Sequence, residues 1–456
     1  MGFASGDVLT PGRDVVAGDL PGASAVERLI RSSLLRLLTG EREIRLTRAV
    51  PTPGELREKF RQIDAFGLYV HIPFCEQICP YCPYNRELYS SDLAERYVRA
   101  VTREIDVYAD IVGDKPVTSF YIGGGTPTTL LQSGLAEIIG HVRQTFDLHC
   151  EIHMESHPNH LSAGNLRAIE SLGVRHLSIG VESLVDRHLK TLCRPYTASQ
   201  VKEAVGRAVS QGFTCVNVDV MFALPGQTCR EIEETGRELV KLGVGQVAAY
   251  PLFLFPYTPM GRAGGTRGHV IRQSLKRRRM MSILERIFYQ AGYERTSVWA
   301  FTRRGVPRYC SVTVPLYLGL GASGGSYLRD VFYLNTFGVA EYCRALEDGR
   351  MAIALSVGLS ERMQRAGWLY WRIYETRFRR ADYRERFGED LDTAYGGYLR
   401  PARWLGLLTD DGERIALSDS GAFWLHACED LLSIDYVSKL WGLSRRDLWP
   451  ERAVLS

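Results

Sequence analysis

Three cysteines crowd into eight residues, Cys75, Cys79 and Cys82, in a C-x3-C-x2-C spacing directly after a short β-rich run. Soft thiolates suit iron, and one short loop carrying three of them can wrap a cubane cluster by three of its irons, leaving the fourth iron open to another ligand. A structural zinc site is the competing reading. It needs four protein ligands, and the nearest fourth is His71, at the end of the run before the loop. The remaining cysteines (Cys150, Cys193, Cys215, Cys229, Cys310, Cys343 and Cys428) show no motif. Ten cysteines in 456 residues are too few and too irregular for a disulfide scaffold, so the triplet asks for a metal. One strand and one helix later come Gly123, Gly124 and Gly125, then Thr126 and Pro127. Consecutive glycines let a backbone approach a ligand closely, and their N–H and C=O groups can bind a polar amino-acid head. Alone this is only a turn; its value comes from following a strand whose end can open onto the same pocket as the cysteine loop.

The elements that must position these residues alternate. From Gly67 onward, β-rich runs at 68–71, 118–122, 151–154, 176–180, 215–222 and 246–252 are separated by amphipathic stretches at 93–107, 134–145, 163–172, 199–211 and 230–242. Strand, helix and strand in this order imply parallel pairing with right-handed crossovers, hence an α/β sheet or partial barrel with its chemistry at the C-terminal strand ends. Before it, a Gly/Pro-rich stretch (2–22) leads into a helix, with Ser24 and Glu27 as a capping box and Val26, Leu29, Ile30, Leu34, Leu37 and Leu38 on one face. A long helix spans about 272–290; its Lys276, Arg277, Arg278 and Arg279 read as a solvated outer face, with Leu275, Met280, Ile283, Leu284 and Phe288 turned inward. After about residue 326, helical stretches near 360–376 and 391–405 precede two short strands joined at Asp410, Asp411 and Gly412, a winged-helix-like pattern. That segment is rich in aromatics (Trp368, Tyr370, Trp371, Tyr374, Tyr395, Tyr398, Trp404) rather than in a basic stripe, which favours a lid or substrate-docking role over nucleic-acid binding. The expected division is 1–65, 66–325 and 326–456.

Composition sets outer bounds. Apolar residues at 45% and charged residues at 24% describe an ordinary globular chain, and a net charge of +4 gives little electrostatic support to a nucleic-acid or membrane partner. No run of eighteen apolar residues occurs, and the N-terminus lacks a basic region followed by an apolar one, so a cytoplasmic protein acting as a monomer is expected.

The phrases LYVHIPFC (68–75), IGGGTP (122–127), SIGVE (178–182), DVMFALPGQT (219–228) and LGLGASG (318–324), with the cysteine triplet, resemble the radical S-adenosylmethionine (SAM) enzymes. The resemblance is to the branch typified by oxygen-independent coproporphyrinogen III dehydrogenase and covers roughly 66–325, with a winged-helix-like extension after it. It implies a partial (β/α)6 barrel, an N-terminal helical segment and a helical, winged-helix-like C-terminal domain. It also implies a [4Fe-4S] cluster on Cys75, Cys79 and Cys82, whose open iron is chelated by SAM, and reductive cleavage of SAM to a 5′-deoxyadenosyl radical. By the same resemblance Tyr69 lies near the sulfonium, Gly124, Gly125 and Thr126 hold the methionine head, Glu155, Glu182, Arg194 and Asp219 contact SAM, and Tyr81 packs beside the cluster, near a second SAM. A reductant such as flavodoxin or ferredoxin is implied as electron donor.

This chain departs from the porphyrinogen dehydrogenases in two places: Tyr84 stands where they carry a fourth cysteine, and Glu182 where glutamine is common. These departures turn the functional expectation toward class C radical methyltransferases. There two SAM molecules lie side by side, and a SAM-derived methyl or methylene carbon is added to a natural-product or peptide substrate, by methylation or cyclopropanation. The alternatives are oxidative decarboxylation of coproporphyrinogen III, anaerobic haem modification, and a haem chaperone of the same family.

Overall fold

The computed structural model describes residues 25–263, 270–308 and 315–456. The loose stretch 2–22, the capping pair Ser24–Glu27 and Cys310 lie outside those residues or have undescribed side chains. The first described helix is α1 (Ala25–Thr39). Six parallel strands then follow in chain order and sit side by side in that order: β1 (Phe66–Ile72), β2 (Val117–Gly124), β3 (Ile152–Ser156), β4 (Val174–Glu182), β5 (Cys215–Phe222) and β6 (Gln246–Pro251). Their crossovers carry α2 (Ser91–Val112), α3 (Leu135–Thr145), α4 (Ala163–Ser171), α5 (Ala198–Gln211) and α6 (Cys229–Leu242). The chain is thus an α/β fold built on an open, partial barrel.

Local chemistry fixes these boundaries. Thr197 with Gln200 and Thr228 with Glu231 form reciprocal capping boxes at the starts of α5 and α6. Gly212 and Gly243, at φ +96° and +73°, end the same two helices in the left-handed conformation that glycine adopts without strain. The strands are buried on both faces because helices cover the outside and side chains fill the barrel interior, which is why they read as apolar runs.

The sheet is larger than the barrel. The strand Tyr317–Leu320 pairs in parallel with the outer edge of β1, and Gly325–Leu328, Val331–Asn335, Ile353–Gly358, Ile44–Thr47 and Arg452–Leu455 extend it antiparallel. One sheet therefore draws strands from all three stretches of the expected division, and the stretch before residue 66 holds a strand and a second helix, Pro53–Arg61, besides α1.

Helix α7 (Val270–Gln290) packs on α6. After it come α8 (Glu361–Glu375), a three-stranded sheet in the order Arg377–Arg379, Arg414–Leu417, Leu408–Asp410, and the 28-residue α9 (Asp419–Arg446). The small sheet with Leu391–Trp404 beside it is winged-helix-like, as the Asp-Gly turn suggests.

Two local readings are corrected. Among the described side chains of α1 the buried positions are Arg31 and Leu35, whereas Leu29 and Leu37 are exposed; α1 packs against α8 and α9, and an ion pair sets its rotation. On α7, Leu275 is exposed, while Arg277 donates to Leu252 O (3.1 Å) and Arg278 to Glu285 (2.8 Å), so the basic run is partly inward and only Lys276 and Arg279 are fully solvated.

Candidate active site

The C-terminal ends of the barrel strands open onto a cavity of roughly 740 Å3, and Cys75, Cys79 and Cys82 line it together with Gly124, Gly125, Thr126, Glu155, Glu182, Arg194 and Asp219. The cysteine loop is braced from several directions. Arg86 donates to Cys79 O (3.0 Å), Met260 N to Pro80 O (3.0 Å), Tyr257 Oη to Pro83 O (3.2 Å), and Arg445 of α9 to Pro83 O (3.0 Å). The end of β2 packs directly on the loop entrance, through Gly125 N to Ile72 O (2.7 Å) and Thr126 N to Phe74 O (2.8 Å). A Cβ at Gly125 would lie 2.7 Å from Phe74 O, and one at Gly124, whose φ is +118°, would lie 2.5 Å from the His71 ring. The glycines are therefore needed for this close approach, and both of their N–H groups are already engaged, since Gly124 N donates to Glu155 (3.0 Å).

The loop suits an iron–sulfur cluster. Thr126 Oγ1 points at Cys75 Sγ (3.6 Å) and Arg194 Nη1 at Cys79 Sγ (3.3 Å), two donors that favour thiolate. Burial pushes the Cys75 thiol up to about 12 and raises Cys82 as well, so deprotonation at neutral pH requires the compensating charge of bound metal. His71 has both ring nitrogens engaged, Nδ1 with Tyr69 Oη (2.8 Å) and Nε2 with Asn85 O (2.9 Å), so it is not free to complete a zinc site. Among the described residues no three His, Cys, Asp or Glu side chains converge as they would around a single ion. Thiolates that each hold a different iron of a cubane stand farther apart than that.

Beside the loop stand three carboxylates. Glu155 accepts from Tyr121 Oη (2.7 Å) as well as from Gly124. Glu182, held at φ +65° at the end of β4, meets Arg194 (3.3 Å) and Tyr250 Oη (3.3 Å). Asp219 accepts from Ser178 Oγ (2.7 Å) and Asn217 Nδ2 (3.0 Å). Burial raises all three, Asp219 to about 7. Arg194 is tied down by Gly180 O (2.5 Å) and Tyr196 (2.6 Å) and offsets Glu182. Desolvated carboxylates in excess of paired cations favour a ligand that brings positive charge, and SAM carries a sulfonium and an ammonium. Tyr81 is buried against Leu192 and Met221, close to the Glu182 carboxylate. Tyr69 is half-buried, points to His71 and is not among the residues that line the cavity.

Several participants were not singled out from sequence. Ser178, Asn217 and Gln246 form a hydrogen-bonded row that carries Asp219, with Gln246 Nε2 donating to Asn217 Oδ1 (3.1 Å). Strand parity could have found Asn217, since it shares with Asp219 the inward face of β5. The far half of the cavity is lined by Phe253, Phe255, Trp299, Tyr370, Trp371, Tyr374, His426 and Asp430. Of the aromatic residues expected to cover substrate, only Tyr370, Trp371 and Tyr374 of α8 reach it. Trp368 and Tyr395 pack inside the winged module, while Tyr398 and Trp404 are exposed.

Comparison with known proteins agrees with this arrangement. Residues 69–239 match the Radical SAM superfamily and residues 378–424 the HemN C-terminal domain. The chain carries a radical SAM domain followed by a HemN C-terminal domain, which supports the coproporphyrinogen oxidase-like branch and implies a [4Fe-4S] cluster and SAM as cofactors. It is 25% identical to the Heme chaperone HemW of Bacillus subtilis over 365 residues, covering 77% of this chain and 95% of that protein. It is likewise 25% identical to the Oxygen-independent coproporphyrinogen III oxidase of Bradyrhizobium diazoefficiens over 380 residues, covering 78% and 84%. In fold it is similar to the coproporphyrinogen III oxidase HemN of Escherichia coli, with a TM-score of 0.71 at 19% identity, over 86% of this chain and 94% of that one.

These findings overturn the expectation of a methyl or methylene transferase. Relatives that span three-quarters of the chain include heme chaperones and a coproporphyrinogen oxidase, and residues 378–424 match the HemN C-terminal domain. The departures at Tyr84 and Glu182 are two side chains within a chain that is similar over three-quarters of its length, and they do not redirect its function. Among the described residues no helix is long and apolar enough to cross a membrane.

Proposed function

We propose that the protein binds a tetrapyrrole and acts on it by radical SAM chemistry. The observation that carries this reading is the continuity of one cavity, with thiols and carboxylates at one end and an aromatic wall of Trp299, Tyr370, Trp371 and Tyr374 at the other. A flat conjugated macrocycle stacks on such a wall, with its edge directed at the carboxylate end. Cys75, Cys79 and Cys82 hold the cluster; Glu155, Glu182 and Asp219 receive the positive groups of SAM, and Thr126 its amino-acid head. Gly124 and Gly125 permit the approach of β2 to the loop, Arg194 neutralises Glu182 while facing Cys79, and Tyr81 shields the cluster from the macrocycle. Tyr69 acts through His71, fixing the start of the loop. When bound, the cluster and SAM supply a 5′-deoxyadenosyl radical for hydrogen abstraction, with the electron coming from a low-potential donor such as flavodoxin or ferredoxin.

A second reading, carriage of haem without turnover, is favoured by the near-complete span of the B. subtilis Heme chaperone HemW that the chain matches. Anaerobic reconstitution with iron, sulfide, SAM and a reductant separates the two. Porphyrinogen-stimulated formation of 5′-deoxyadenosine, with loss of carboxyl carbon as carbon dioxide, supports the enzyme; haem binding without such stimulation supports the carrier. If neither haem nor coproporphyrinogen III bound the reconstituted protein or altered SAM cleavage, the tetrapyrrole reading would fall.

A further inference from the structure

The radical machinery leaves a buried histidine on the cavity wall unused. His426 on α9 is 4% exposed and lines the aromatic half of the cavity. Trp299 and Tyr374 approach its ring edge-on at 5.4 and 5.3 Å, with interplanar angles of 75° and 72°. One turn along the helix, Glu429 Oε2 lies 3.0 Å from Nδ1. Asp430, which also lines the cavity, lies 3.3 Å from Nε2. Two aromatic neighbours thus fix the position of the imidazole, and its two nitrogens face Glu429 and Asp430. A histidine whose Nδ1–H is held by a carboxylate presents a more basic Nε2, the arrangement that prepares imidazole for a metal.

We propose that His426 Nε2 is an axial ligand to the iron of an iron porphyrin seated against the aromatic wall. This inference rests on the tetrapyrrole reading above and narrows it from tetrapyrroles in general to the metallated, oxidised macrocycle. Burial keeps the imidazole neutral, with His426 held down to about 4, so its lone pair is available throughout the physiological range. Asp430 lies on the Nε2 side and would have to turn away from the ring for an iron to be held there. It is also the group through which a metal-free porphyrinogen would be recognised instead, by accepting from pyrrole N–H groups, and so it defines the opposing outcome.

The test uses the full chain, with ferric haem and iron-free protoporphyrin IX as probes, followed by absorption and electron paramagnetic resonance. The wild-type protein is expected to give an imidazole-ligated haem spectrum. His426→Ala should abolish that spectrum and weaken haem binding at least about 10-fold, in line with loss of a metal ligand, while leaving binding of the iron-free porphyrin within about 2-fold. Added imidazole should restore the spectrum, which a collapsed cavity would not allow. Glu429→Gln keeps the ring and should retain the spectrum with weaker haem binding, so the inference stays open to test even if the alanine variant does not fold. An unchanged haem spectrum in His426→Ala, equal loss of both porphyrins, or dependence of haem binding on Asp430→Asn alone would overturn the assignment. Failure of the wild-type protein to bind either porphyrin would instead overturn the tetrapyrrole reading on which it rests.

Discussion

Asp219 shows how a single side chain can be tuned for a ligand rather than for the fold. Burial raises its pKa to about 7, from an ordinary value of 3.8, although Ser178 and Asn217 both donate to it. The folded protein without SAM therefore binds a proton here more readily than the unfolded chain does, and the stability contributed by this group falls as pH rises from about 4 through 7. SAM binding needs the opposite form, because the carboxylate attracts a cation. Asp219→Asn should therefore raise the thermal midpoint of the SAM-free protein at pH 8, by on the order of 2 °C. It should also weaken SAM binding and flatten its decline between pH 8 and pH 6. Calorimetric melts and SAM titrations at both pH values measure the two effects; a lower midpoint together with unchanged SAM affinity would contradict this account. At the cluster, Cys79→Ala removes the thiol that Arg194 faces at 3.3 Å and should abolish both the brown absorbance and deoxyadenosine formation. Iron analysis and product chromatography check both.

At the scale of elements, the site depends on how closely β2 docks on the loop that follows β1. Gly125 is the contact, since any side chain there would run into Phe74 O and the Pro73 carbonyl carbon. Gly125→Ala should push the glycine run away from the loop, destabilise the protein by about 1–3 kcal/mol and lower cluster occupancy. Denaturant unfolding combined with iron content per chain tests this, and full occupancy at unchanged stability would remove the close approach from the explanation. The loop is also held from the far side by Arg445, whose guanidinium donates to Pro83 and Tyr84 carbonyls. That contact comes from α9, the helix that also carries His426 and Asp430, so both ends of the cavity are tied to one rigid element.

The whole molecule closes around that helix. Strands near both ends of the chain, Ile44–Thr47 and Arg452–Leu455, pair at the far edge of the main sheet, while α1 packs on α8 and α9. A buried ion cluster fixes this packing: Arg31 meets Asp435 at 2.9 Å, and Lys439 meets the same carboxylate at 2.9 Å. Removing one cation leaves the other in place, so Arg31→Ala should destabilise by about 1–3 kcal/mol, short of the larger loss expected when a buried charge has no partner at all. Because α8 carries Tyr370, Trp371 and Tyr374 and α9 carries His426, the same change should weaken porphyrin binding while leaving the cluster spectrum intact. Unfolding curves and porphyrin titration of the reconstituted protein report on these two consequences.

What repeats locally was legible in the chain alone. The cysteine spacing, the glycine run and the alternation of apolar runs with 3.6-period stretches were enough to place six strands, five crossovers and the cluster loop, because each depends on neighbours within a few residues. The Asp-Gly turn likewise marked the small C-terminal sheet. The remainder depends on residues far apart in the chain that meet only on folding. The strand Ile44–Thr47 finds its partners some three and four hundred residues later, α1 turns on Arg31 because Asp435 is there to meet it, and Arg277 points inward because Leu252 O accepts from it. The division of the aromatic residues between cavity, winged core and surface was equally hidden, since helical periodicity gives a face but not what that face meets. His426 and Asp430 entered the site in the same way, carried there by a long helix that packs against the opposite side of the barrel mouth.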